Sequence, residues 1–158
     1  MYFCIQTQNK IIMHGFLVHL HSGLRWVSLL LLVYAILNAI SARNSNEYTK
    51  KDKLVNLFTM VSLHIQLVIG FILYYYSSKR SFSSGWMGND IYRFYGLEHI
   101  SIMILAIALV TFARGKAERS NDVAAKHKKI RIWYTVALLL ILISIPWPFR
   151  ANLGGAWF

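Results

Sequence analysis

The chain has 158 residues, 56% of them hydrophobic, 15% aromatic and only 15% charged, with a mean hydropathy of +0.45. That is too apolar for the surface of an ordinary soluble domain. Lys+Arg 17 against Asp+Glu 6 gives +11, but the basic residues fall in short clusters between long apolar runs, which is the pattern of a membrane topology signal and not of a nucleic-acid surface. The single cysteine, Cys4, excludes an internal disulfide, a Cys-rich zinc site and an iron–sulfur cluster.

Met1 to Met13 carry Lys10 as their only charge and lack the basic start, long apolar stretch and small-residue site of a cleaved signal peptide, so the first span is expected to serve as the signal itself. Apolar runs then cover residues 16–40, 54–76, 94–113 and 132–149. At about 1.5 Å per residue each is long enough, or nearly so, to cross about 30 Å of hydrocarbon. Strand alternation is absent, and a barrel would need about eight strands. The expected fold is an all-α integral membrane protein, one domain over 1–158, with four transmembrane helices in a bundle.

Orientation follows from the cations. The first connection holds Arg43, Lys50, Lys51 and Lys53, and the third holds Arg114, Lys116, Arg119, Lys126, Lys128, Lys129 and Arg131. Both should face the cytoplasm, leaving both termini and the second connection on the outer, periplasmic side. Tyr74–Tyr76, Trp86, Tyr92, Tyr95, Trp147 and Trp157 then gather at the outer interface as an aromatic belt. The second connection, rich in Ser and Gly, is long enough to cap that end. Pro146 and Pro148 end the last helix, and the tail behind them should return along the outer interface, where it can cover a site.

Ionisable side chains inside a span usually face the bundle interior and mark a site. Here they are His19, His21, Arg25, His64, Glu98 and His99. At 100° per residue His21 shares a helix face with Arg25, Ser28, Ala35 and Ala39, while His19 shares one with Trp26, Leu30, Val33 and Leu37. Small and polar residues belong against neighbouring helices, which favours His21 over His19 as the inward residue. His99 lies at nearly the same depth on the third helix. Glu98 beside it could orient an imidazole, pair with Arg25 or handle protons. His64 stands near the midplane, opposite the side of Ser62, Gln66 and Gly70, and His127 in its run of lysines reads as an interfacial surface residue.

Two imidazoles on facing helices can take both axial positions of a heme iron, and Arg25, one turn beyond His21 and close to the outer interface, can receive a propionate directed toward water. Copper or zinc is the competing ligand chemistry, but no H-E-x-x-H pattern is present. The plainer alternative is that the histidines make interhelical hydrogen bonds in a cofactor-free accessory or assembly subunit of a larger complex. A third is passage of protons or metal ions through the histidines and Glu98.

Across His19-Leu20-His21-Ser22-Gly23-Leu24-Arg25-Trp26, Ser62-Leu63-His64-Ile65-Gln66-Leu67, Leu97-Glu98-His99-Ile100-Ser101 and Ile145-Pro146-Trp147-Pro148-Phe149-Arg150, residues 14–158 resemble small bacterial four-span membrane proteins of the cytochrome b-like kind. The resemblance implies a bacterial inner-membrane protein with b-type heme, held by His21 or His19 with His99, helped by Arg25, and with His64 supplying a second site or a hydrogen bond. It further implies electron transfer within a respiratory or quinone-linked chain, as a relay or accessory subunit of a larger complex more than as a stand-alone enzyme. The positions of His21 and His99 also resemble one half of the heme A synthase bundle. That enzyme has two such halves and this chain one, so complete heme modification would require a dimer.

Overall fold

The computed structural model describes residues 2–77, 79, 81–155 and 157, without the side chains of residues 2–11 and 151. Four long helices dominate: α1 (Tyr2–Ser41), α2 (Lys50–Tyr76), α3 (Asp90–Glu118) and α4 (Val123–Ser144). No strand occurs among the described residues. Helix α1 begins well before the apolar run at 16, because the run marks lipid depth while no proline interrupts the hydrogen-bonded ladder upstream of it.

Local chemistry sets the other boundaries. Thr49 and Asp52 form a reciprocal capping box at the start of α2, with the Asp52 carboxylate accepting from Thr49 N at 2.7 Å. Asn89 caps α3 by accepting from the backbone of Ile91 and Tyr92, and Asp122 caps α4 through Ala124 N. Helix α4 stops at Ser144, five residues short of the expected end. Ile145 precedes Pro146 and takes an extended backbone, as the proline ring requires of its neighbour.

Each helix packs on two others: α1 on α2 and α4, and α3 on α2 and α4. The result is a closed square in which α1 and α3 lie on the diagonal. The α3–α4 seam is built on small residues, Ala106, Ala113, Ala117 and Ala137, all fully buried, which lets the two backbones approach closely around Val110, Ile130 and Tyr134. The α1 face foreseen as inward is buried at Ser28, Ala35 and Ala39, whereas Leu30 is 70% exposed. Ile143 and Phe16 point outward in the same way. Such a shell of exposed aliphatic and aromatic side chains has lipid as its natural solvent.

Ile12–Ser41, Lys50–Tyr76 and Asp90–Glu118 are long and apolar enough to cross a membrane, which makes a multi-pass membrane protein of the chain. Helix α4 differs. Lys126, Lys128, Lys129 and Arg131 occupy its first half, and the uncharged remainder to Ser144 rises only about 20 Å.

Candidate functional site: a cavity at one end of the bundle

Near the end of the bundle where α2 finishes and α3 begins, the four helices leave a cavity of about 300 Å³, at the lower edge of the usual size for small-molecule sites. Helix α1 contributes His14, His21, Arg25 and Ser28, α2 contributes Gln66, Gly70 and Tyr74, α3 contributes Tyr95, His99 and Met103, and α4 contributes Ile141. Pro146, Gly154 and Gly155 of the returning tail and Lys79 of the second connection complete the wall. Every charged or imidazole side chain on this wall is basic. Among the described residues no Asp or Glu lines it.

The third helix is specially shaped here. Phe94–Glu98 form a single π-helical turn, a local widening that recurs at functional sites. It turns the Gly96 carbonyl toward the Tyr74 hydroxyl, which donates to it at 3.1 Å and ties α2 to α3. It also stacks residues five apart, so Glu98 meets Arg93 in an ion pair of 2.7 Å. Glu98 is thereby committed to Arg93 and not to Arg25 or an imidazole, correcting the roles expected for it.

His99 Nδ1 lies 2.7 Å from the Ser144 carbonyl oxygen, with Ser144 Oγ at 3.3 Å. A carbonyl only accepts, so Nδ1 carries the proton and Nε2 holds the free lone pair. His21 lines the same cavity from α1, which lies diagonally opposite α3. Its ring packs on Gly70, where a Cβ would come within 3.2 Å of Cε1. Arg25 donates from Nη2 to the Trp157 carbonyl at 2.7 Å. The tail therefore does fold back over this end, with the Trp157 ring stacked on Trp26 and edge-on to Trp147.

Several polar atoms around the cavity have no partner within the protein although they are buried: His21 Nδ1, Arg25 Nε, Ser28 Oγ and Gln66 Oε1. One other described side-chain atom, Arg114 Nε, shares that condition elsewhere. Leaving such a group unpaired in a low-dielectric interior costs about 1–3 kcal/mol. Four of the five residues with such an atom among those described line this one cavity.

Of the residues singled out from the sequence, His21, His99 and Arg25 come together on this wall. His19 is exposed on the other face of α1. His64 is exposed too, with Nδ1 donating to its own helix at Met60 O, 2.8 Å away, in a shallow apolar groove beside Thr111. His127, expected at the surface, is only 2% exposed. The first connection covers it: the Tyr48 ring lies 5.2 Å away, and Glu47 O is 3.4 Å from its Nε2. His14 was missed. It stands two turns before His21 on the same face, and that spacing was the signal available for it.

No family model, curated protein or solved structure matches the chain. Among the described residues, no group of three or more His, Cys, Asp or Glu side chains converges to hold a metal ion. What the cavity offers instead is a facing pair of imidazoles with a guanidinium beside them.

Proposed function

We propose that the cavity is a heme b site and that the protein is a cytochrome b-like electron-transfer subunit, in which His21 and His99 would hold the heme iron. The observation that carries this reading is one cavity lined by both imidazoles, on whose wall buried polar atoms of His21, Arg25, Ser28 and Gln66 have no partner within the protein. The donor chemistry of the residues present fits the group. His99 has its Nδ1 proton fixed on the Ser144 carbonyl, the arrangement that frees Nε2 as a ligand and raises its basicity. Arg25 keeps an unsatisfied Nε, and Lys79 stands at the same rim, so an anionic edge such as a propionate finds cations and meets no carboxylate. Ile141, Ile145 and Met103 supply the apolar walls that a macrocycle requires. When bound, the heme would supply one-electron exchange. The protein's own part is to exclude water, orient the two rings and neutralise the carboxylates.

In this reading α4 is the fourth span, completed through the tail as far as residue 149, and the lysine-rich ends face the cytoplasm of a bacterium. Donor and acceptor come from outside the chain, as quinone or as neighbouring subunits of a larger complex. The test is a spectrum of the purified protein in mild detergent, oxidised and then reduced with dithionite, followed by a pyridine hemochrome. A reduced b-type α band at about one heme per chain is expected. A colourless but folded protein overturns the proposal and favours the cofactor-free accessory subunit, in which the same histidines serve packing.

A further inference from the structure

The two imidazoles face the cavity from very different surroundings. His99 is anchored on the backbone of α4 by a 2.7 Å hydrogen bond and is flanked by the rings of Phe94 and Tyr95 at 5.7 and 6.4 Å. His21 Nδ1 has no hydrogen-bond partner. Gln66 of the neighbouring helix donates to the His21 main-chain oxygen at 2.8 Å and so fixes the helix, not the imidazole. On its other side the ring meets Gly70, which presents no side chain at all.

A hydrogen bond to the distal nitrogen fixes the orientation of a ligating imidazole and raises its basicity, with about 10–100-fold effects when it is lost. One ring of the pair has this support and the other lacks it. Resting on the heme reading above, we infer that His21 is the exchangeable axial ligand, so that a small neutral molecule with a donor lone pair can bind on the α1 side of the cavity. Carbon monoxide is the simplest such molecule. Its lone pair replaces that of His21, which leaves as neutral imidazole with no proton released and no electron transferred. His99 stays in place.

The experiment uses the heme-loaded protein, reduced with dithionite and titrated with carbon monoxide, with heme content measured in parallel. Wild type should give a carbon monoxide difference spectrum. His21→Ala should keep its heme and bind carbon monoxide severalfold more tightly than wild type, because no internal imidazole competes for the position. Gly70→Ala, whose new Cβ would come within 3.2 Å of the His21 ring, should shift affinity in the same direction while leaving His21 in the sequence. His99→Ala should instead lose heme. A wild-type reduced spectrum unchanged by carbon monoxide, at full heme content, overturns the inference and leaves the heme reading standing. Equal gains on removing either histidine overturn it as well. Purified protein without heme removes the reading underneath, which the parallel hemochrome distinguishes.

Discussion

The two ends of this bundle handle buried polarity in opposite ways. At the end where α1 meets α2, polar side chains are numerous and paired with one another: Asn38 donates to Asp52, Asp52 accepts from both the backbone and hydroxyl of Thr49, and Asn56 donates to Tyr48. Tyr48 in turn reaches Glu118 and covers His127. At the cavity end a comparable set of polar atoms, on His21, Arg25, Ser28 and Gln66, faces inward without partners. The same chain and the same four helices thus contain a network of mutually paired side chains, with Arg114 Nε left without a partner beside it, and a cavity wall where the unpaired atoms cluster. A saturated network rigidifies and specifies the packing, whereas an unsaturated one is tolerated where a ligand completes it.

The largest effect should come from the one well-supported imidazole of the cavity. His99→Ala is expected to abolish the reduced α band altogether while the protein still inserts and elutes as before, read from absorbance at equal protein. If absorbance survives, the cavity end is not a His99-ligated heme site and the contrast between the ends loses its functional meaning. The next largest effect lies at the paired end. Asp52→Ala strips the Thr49 cap and leaves the Asn38 amide without its acceptor, and should destabilise the folded protein by about 3 kcal/mol in a detergent unfolding titration. Asp52→Asn, which retains one acceptor oxygen, should lose clearly less. Equal losses would mean that the network contributes through shape and not through its hydrogen bonds.

Much of this contrast could be read from residues alone, and the reasons it could not be read in full are physical. The inward face of α1 through His21, Arg25 and Ser28 was legible because helical periodicity sorts small and polar positions from Leu30, Val33 and Leu37. The separation of His64 from Gln66 and Gly70 followed from the same geometry. The π turn at Phe94–Glu98 was not legible, since it rests on a register shift no residue type announces, and with it went the pairing of Glu98 with Arg93. His127 misled because its lysine-rich neighbours suggest a surface, while its burial depends on Tyr48, distant in sequence. His14 was passed over because helix α1 outruns the apolar segment used to bound it. The partners of a polar residue are set by tertiary contacts, and those are what periodicity omits.

A smaller effect should appear with pH at the paired end. Burial pushes the Tyr48 hydroxyl up to about 12 from an ordinary value of 10. The neutral phenol is therefore the form that the fold favours, and its contribution is complete below pH 10 and lost as pH rises through 12. Lysines titrate in the same range, so the measurement is the difference between wild type and Tyr48→Phe. Wild-type stability should fall more steeply between pH 10 and 12 than that of the variant. Parallel curves would show that the hydroxyl is not differentially held in the folded state.

The smallest effect is the most pointed one. Ser28 is 3% exposed, yet its hydroxyl has no partner, so removing it deletes an unsatisfied group and no hydrogen bond. Ser28→Ala should therefore not destabilise the ligand-free protein, and should recover part of the about 1–3 kcal/mol that an unpaired buried hydroxyl costs. Thr59→Val is the control at the same helix interface. Its hydroxyl donates within α2 to Val55 O at 2.8 Å and lies 3.2 Å from Leu31 O of α1, so its loss should cost about 1 kcal/mol. The two variants remove one buried hydroxyl each, and the difference between them measures whether the cavity wall is unpaired in solution. If Ser28→Ala proves as costly as Thr59→Val, the Ser28 hydroxyl has a partner, and the wall is closed by water or by a retained ligand before any heme is added.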